Sequence, residues 1–122
     1  MKVKEKYGAF SKGEMFNLSK GVGCTLLKKV PDGKEFDVVG VIVMADEQTN
    51  VETGEVKEKD ILHFKCEDGS VYTTESPTVM QTLLDGIAFM GTHLLKFKLI
   101  RATSKNGRQF MDLELLTEDI ED

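Results

Sequence analysis

The sequence has no tryptophan, two cysteines and two prolines among its 122 residues. Two cysteines, Cys24 and Cys66, are too few for a disulfide framework, so we expect reduced thiols. No apolar run approaches the length of about 18 residues that a membrane-spanning helix needs. The first ten residues, MKVKEKYGAF, lack the apolar region of a signal peptide. The sequence therefore predicts one cytoplasmic domain with no membrane contact.

Charge is distributed unevenly along this chain, whose net charge is −5. Residues 1–34 contain eight lysines and three acidic residues, whereas the remainder contains eight basic and 18 acidic ones. Four of those acids lie in residues 117–122, TEDIED. A basic front third suits a polyanion, and an acidic tail suits a basic partner. A merely solvated surface with a frayed end is the alternative interpretation.

Two strands joined by a tight turn are predicted near the C-terminal end, because Asn106-Gly107 is a strong hairpin signal. A two-residue loop would place Glu114 opposite Leu99, on the apolar face. A three-residue loop places Leu113 opposite Leu99 and keeps the carboxylate on the outer face. The alternation therefore predicts the longer loop, with Gly107 in the left-handed conformation.

Earlier in the chain, β-branched and aromatic runs predict strands over residues 34–46, 55–66 and 71–73. Gly40 in the middle of the first strand indicates a bend or bulge. Ser76-Pro77 predicts the start of a helix that ends near Gly91.

Less definite patterns precede these elements. Residues 14–19, EMFNLS, suggest a short extra strand, and no element is assigned to residues 1–12, which leaves a flexible segment open.

This order of elements is strand, strand, strand, helix, strand, strand, which is the order of an OB-fold. We therefore predict a mainly β protein: an OB-fold, a five-stranded Greek-key barrel with one helix between strands 3 and 4. The domain is expected to span residues 1–116, followed by the acidic tail at 117–122.

No catalytic, metal-binding or cofactor-binding pattern is convincing. Gly21 and Gly23 are not followed by the Lys-Ser/Thr pair of a phosphate-binding loop, so they indicate a turn. His63 and Cys66 are three residues apart, which on a strand directs them to opposite faces. We therefore expect no enzyme, no metal ion and no cofactor.

The sequence pattern is more consistent with a binding surface than with a catalytic or metal site. OB-folds bind oligonucleotides on the face of strands 2 and 3 and in the loops 1-2 and 4-5. Alternation predicts that His63 and Lys65 point outward from strand 2. Cations neutralise phosphates, and aromatic rings stack bases. The basic or aromatic residues on that map are Tyr72, His63, Lys65, Lys57, Lys59, Lys105, Arg108 and Phe110.

These residues predict a largely sequence-independent binder of single-stranded nucleic acid, with Tyr72 as the best stacking candidate. A tyrosine at the barrel rim with a wet hydroxyl is the alternative for Tyr72, and shielding of the hairpin face is the alternative for Phe110. At the level of function, the alternatives are a protein-interaction module or inhibitor of OB type, and an RNA binder.

Several short motifs, in order, resemble one family over residues 15–116. They are Met15-Phe16-Asn17, Pro31-Asp32-Gly33, Asp68-Gly69-Ser70-Val71-Tyr72, Thr78-Val79, Leu95-Lys96-Phe97-Lys98, and Thr103-Ser104-Lys105-Asn106-Gly107 with Phe110 and Leu113. With these motifs the chain resembles the single-stranded DNA-binding proteins of protein-primed Bacillus podophages. The resemblance implies a replication protein that coats displaced single strands and protects them. It also implies that Tyr72 stacks on bases, since that family relies on tyrosines.

Overall fold

The computed structural model describes residues 2–91 and 95–116. Within these residues, seven strands, two α-helices and one 3-10 turn form. In chain order they are β1 (Lys2–Tyr7), α1 (Lys12–Ser19), β2 (Thr25–Leu26), the 3-10 turn (Leu27–Lys29), β3 (Glu35–Thr49), β4 (Val56–Cys66), β5 (Val71–Thr74), α2 (Pro77–Met90), β6 (Leu95–Thr103) and β7 (Gln109–Leu115). The predicted acidic tail at 117–122 lies outside the described residues.

One curled sheet contains all of these strands, in the order β2-β5-β4-β3-β6-β7, with β1 paired to β3. The central strand β3 pairs with β4 along one edge, and its other edge pairs with β6 at residues 35–38 and with β1 at 41–45. The β3–β4 register shifts between Val38 and Gly40, which confirms the predicted irregularity at Gly40. A Cβ atom at Gly40 would lie 2.9 Å from the Phe10 ring, so glycine allows that ring to approach the strand.

The predicted element series corresponds to β3, β4, β5, α2, β6 and β7, and the mainly β class is confirmed. The prediction of five strands is wrong, since β1 and β2 add to the sheet. In the described part of the chain β5 and β7 do not pair, so the sheet is a half-barrel rather than a closed one. Residues 25–34, which we call the β2–β3 segment, run from β5 to β6 on the open side. Leu27 and Val30 of this segment are buried there.

The C-terminal hairpin has the predicted register. Leu99 lies opposite Leu113, and Lys98 lies opposite Glu114. The amide of Ser104 donates to Arg108 O at 2.8 Å, and Gly107 has φ of 78°. The three-residue loop and the left-handed glycine are therefore confirmed.

The main core lies inside the curl, where Phe36, Phe64 and Phe97 are almost completely buried. Helix α2 packs against this core through Val79 and Leu83, which are also completely buried. Its predicted ends are confirmed: Ser76 Oγ accepts from Val79 N at 3.3 Å, and Gly91 terminates the helix.

Residues 10–20, which we call the N-terminal layer, lie on the outer face of the sheet. The strand predicted at residues 14–19 is wrong, because Lys12–Ser19 is the helix α1. A capping box explains this: Ser11 Oγ accepts from Glu14 N, and Glu14 Oε1 accepts from Ser11 N. The S-x-x-E spacing was visible in the sequence. Residues 2–7, to which no element was assigned, pair with β3 as β1.

Candidate nucleic-acid interface

Tyr72 lies on β5 at the margin of the main core, and its side chain is half-buried. Its ring packs on two phenylalanines, edge-on to Phe36 at 4.8 Å and stacked with Phe64 at 5.4 Å between centroids. Phe36 and Phe64 in turn meet edge-on at 5.2 Å. This packing fixes the tyrosine ring, because its two aromatic neighbours are themselves fully buried.

The exposed part of Tyr72 lines a cleft of about 280 Å³ between the start of β3 and the β4–β5 turn. Lys34 lies over Phe36, with its Nζ 5.9 Å from the ring centroid. The rest of the lining is largely acidic: Glu35, Asp37, Glu67 and Asp68, with Cys66 and Ser70. The side-chain and backbone hydrogen bonds from Ser70 hold the pKa of Asp68 below its usual value. This carboxylate is therefore charged at neutral pH, and the cleft favours hydrogen-bond donors over phosphate.

Lysines absent from the predicted site lie on the β2–β3 segment. Lys34, at the end of this segment, lines the cleft. Lys28 and Lys29 are exposed on the 3-10 turn, and Lys28 lines a second cavity, of about 430 Å³, together with residues 73–76. The segment is held by Arg101, which donates to Lys28 O at 3.1 Å and to Val30 O at 3.0 Å, and pairs with Asp32. The sequence signal was the cluster of lysines in residues 1–34, but the topology that places three of them on the segment paired with β5 was not readable from it.

His63 lies on the outer face of β4, as alternation predicted, but it is buried there, so the prediction of an exposed binding residue is wrong. The residue is 2% exposed, and its Nδ1 shares a hydrogen bond of 2.6 Å with Thr73 Oγ1. Its Nε2 has no hydrogen-bond partner in the described part of the chain. Burial lowers the pKa of the ring to about 4, so His63 is neutral at pH 7. It cannot contact DNA in this arrangement.

Lys65 and Lys59 do point to the outer face, but each forms a salt bridge with a carboxylate. Lys65 Nζ lies 2.8 Å from Glu14 and 5.8 Å from the Phe10 ring centroid. Lys59 Nζ lies 2.8 Å from Glu75.

The outer face of β3, β4 and β5 is largely covered, because an apolar cluster forms on it. Phe10 and Leu18 from the N-terminal layer bury the strand residues Ile42, Met44 and Val71. Tyr72 lies on the opposite face of β5 from Val71. The predicted site is thus divided between two faces of the sheet.

The remaining predicted residues lie on two hairpins. Lys57 is exposed on β4 and pairs in register with Gln48. Lys105 and Arg108 are exposed at the β6–β7 loop, and Phe110 is 39% exposed on β7. At about 3.3 Å per residue, Lys57 lies roughly 20 Å along β4 from Phe64, the register partner of Tyr72.

Comparison with known proteins assigns the chain to a protein family. A family model described as phage single-stranded DNA-binding protein matches residues 7–116. The chain belongs to this family. Two similar proteins, both named single-stranded DNA-binding protein, come from Bacillus phage PZA and Bacillus phage phi29. Each is 30% identical over 105 residues, which cover 84% of this chain and 82% of the relative. No solved structure matched.

The range of this phage single-stranded DNA-binding protein that the family model matches can be compared with the candidate interface. It contains Tyr72, the β2–β3 segment and both hairpins, but it omits most of β1. The family suggested by the short motifs is thus confirmed, and the match covers every residue of the predicted site.

Cys66 is a buried thiol of the main core. Burial raises the pKa of the Cys66 thiol to about 11, which keeps it protonated at neutral pH. In residues 2–91 and 95–116, no three histidine, cysteine or carboxylate side chains converge as a metal site would require. No helix of the described chain is long and apolar enough to span a membrane.

Proposed function

We propose that this single-stranded DNA-binding protein coats single strands exposed during phage DNA replication and acts by binding alone, without regard to sequence. The single observation that carries the binding mode is Tyr72, whose half-buried ring is fixed between Phe36 and Phe64 beside a cleft open to solvent. A base that stacks on this ring needs no rearrangement of the protein, and one such contact contributes roughly 1–3 kcal/mol.

Phosphates would follow the β2–β3 segment. Lys28, Lys29 and Lys34 have no carboxylate within salt-bridge distance among the described residues. The acidic cleft repels phosphate, so the base enters it and the backbone stays outside on the lysines. Lys105, Arg108, Phe110 and Lys57 lie beyond this track, and we place them outside the stacking part of the interface.

The OB-fold remains our proposal for the architecture. The neighbour order β5-β4-β3-β6-β7 with α2 between β5 and β6 supports it, because it is a five-stranded antiparallel path with one helix. The N-terminal layer covers the outer face that OB-folds commonly use. This explains why the proposed interface is displaced toward the open side of the sheet.

Tyrosine fluorescence tests the stacking site, since the chain has two tyrosines and no tryptophan. The variant Tyr7→Phe leaves Tyr72 as the only strong emitter, and its emission should be quenched by oligo-dT. The matched variant Tyr72→Phe leaves only Tyr7 on β1, and its emission should change little. Both variants should retain wild-type affinity in a mobility-shift assay, because phenylalanine also stacks.

The variant Tyr72→Leu preserves apolar packing and removes the aromatic ring. We expect its affinity for oligo-dT to fall by about tenfold to a hundredfold, as the loss of one stacked base predicts. Some loss of thermal stability is also expected, because Tyr72 packs on Phe36 and Phe64. Unchanged affinity in a folded Tyr72→Leu protein would remove this residue from the interface.

Two further proposals follow from function and charge. We place the protein in the cytoplasm of the host cell, where phage DNA is replicated. We also propose that the acidic residues Glu118, Asp119, Glu121 and Asp122 recruit basic surfaces of replication proteins. Truncation after residue 116 should then weaken such complexes without reducing affinity for oligo-dT.

A further inference from the structure

Two hairpins of opposite charge project from this molecule. The acidic hairpin, residues 46–58 between β3 and β4, contains five carboxylates and one lysine. The basic hairpin, residues 98–110 between β6 and β7, contains four basic residues and no acidic one. Both have exposed ends, and neither end belongs to the Tyr72 cleft.

The end of the acidic hairpin is an ordered turn. Asn50 N donates to Glu55 O at 2.8 Å, and Gly54 N donates to Asn50 O at 2.7 Å. Glu52 and Glu55 form no ion pair with any described residue. Next to them Val51 is 96% exposed. This turn therefore presents two carboxylates around an apolar side chain.

The end of the basic hairpin is also an ordered turn, but it carries the opposite charge. Lys105 and Arg108 form no ion pair within the described chain, and the turn between them is fixed by the Ser104–Arg108 backbone hydrogen bond. The apolar side chain here is Phe110, at 39% exposure. The two ends thus match in charge and in apolar content.

Strand direction places these ends at opposite poles of the sheet. Glu35 of β3 is paired with Lys98 of β6, and the two strands are antiparallel. From this pair β3 runs to Thr49 and the acidic turn, while β6 runs the other way to Thr103 and the basic turn. A single molecule therefore cannot join its own two ends, but a neighbouring copy can.

We propose that the acidic turn of one copy binds the basic turn of the next copy on the same DNA strand. Such a contact is head-to-tail, and repeated head-to-tail contacts form an open array rather than a closed oligomer. Such an open array suits a linear ligand such as a single DNA strand. Glu52 and Glu55 would meet Lys105 and Arg108 of the neighbour, with Val51 against its Phe110. This inference rests on the proposed function.

Charge reversal tests the contact. The variants Glu52→Lys/Glu55→Lys and Lys105→Glu/Arg108→Glu each give a molecule whose two ends repel a second copy of itself. On long oligo-dT each variant alone should lose cooperativity by about tenfold at low salt, which lies within the range that two exposed ion pairs contribute. A 1:1 mixture restores alternating opposite charges, so it should regain cooperativity.

Two controls separate this contact from DNA affinity. Glu5→Lys/Asp85→Lys makes the same change of net charge as the acidic-hairpin variant, but away from both turns, and should remain cooperative. Binding of single copies is measured on the shortest oligo-dT that the wild type binds. Cooperativity that survives in both variants, or that the mixture does not regain, overturns the head-to-tail contact. Failure of the wild type to bind oligo-dT of any length would refute the proposed function, and the array with it.

Discussion

His63 is a titratable ring placed between the sheet and the N-terminal layer, with one nitrogen bonded to Thr73. Its pKa falls from 6.5 when unfolded to about 4 when folded, because burial disfavours the charged ring. The unfolded chain therefore binds the proton more readily. Stability should be fully present above about pH 6.5 and decline as the pH falls toward 4. We expect the free energy of unfolding to decrease by about 2 kcal/mol between pH 7.5 and pH 5.

Denaturant unfolding at several pH values measures this effect. The variant His63→Asn can keep a hydrogen bond to Thr73 but has no proton to gain in this range. Its stability should therefore be nearly constant between pH 7.5 and pH 5. The pKa of Glu14 lies below its usual value because of Lys65 and Ser11, so its protonation acts only below this window. Equal slopes for wild type and variant would contradict the assignment.

Tyr72, His63 and Lys65 show how much of the site could be predicted from the sequence. Tyr72 was found because it belongs to a short motif and because it was predicted to lie beside a strand that carries lysines. His63 and Lys65 were misjudged for a different reason. Alternation predicts which face of a strand a residue occupies, but not whether another part of the chain covers that face. Here Phe10 and Glu14, some fifty residues earlier, cover it.

At the scale of elements, the β2–β3 segment depends on one side chain from β6. Arg101 donates to two of its carbonyl groups and pairs with Asp32. We expect Arg101→Ala to lower the free energy of unfolding by about 1–3 kcal/mol, because charge-assisted hydrogen bonds are lost from a partly buried group. Affinity for oligo-dT should fall as well, since Lys28 and Lys29 lose their fixed position.

Thermal unfolding and mobility-shift assays measure the two effects. The control is Arg108→Ala, which removes the same side chain from the exposed hairpin turn. Its stability should change by no more than about 0.5 kcal/mol. If Arg101→Ala behaves like this control, Arg101 does not hold the segment.

Elements differed in how well the sequence predicted them, and the physical reason is locality. The register of the β6–β7 hairpin was predictable because turn chemistry and alternation are both local. The limits of α2 were predictable because Ser76 and Gly91 are local signals. β1 and β2 were not, since short polar strands gain their stability from a distant edge of the sheet. The open side between β5 and β7 could not be predicted either, because a segment from another part of the chain fills it.

Across the whole molecule, a net charge of −5 must be reconciled with a polyanionic ligand. The acids are concentrated in the acidic hairpin, the Tyr72 cleft and the C-terminal tail, whereas the β2–β3 segment presents lysines. Charges farther apart than the Debye length, about 8 Å at physiological ionic strength, are largely screened. Local charge rather than net charge therefore decides where phosphates bind.

This distribution predicts how salt affects binding. Each phosphate contact on single-stranded DNA makes the plot of log K against log salt steeper by about 0.7. Replacing Lys28, Lys29 and Lys34 by alanine should therefore make the slope shallower by about 2 and weaken binding alike to every base composition. The matched variant, Lys6→Ala/Lys12→Ala/Lys20→Ala, changes net charge equally but lies on β1 and the N-terminal layer, so its slope should equal that of the wild type. Fluorescence titration with oligo-dT at several salt concentrations gives both slopes. If the second triple variant flattens the slope and the first does not, the phosphates follow the N-terminal layer instead of the β2–β3 segment.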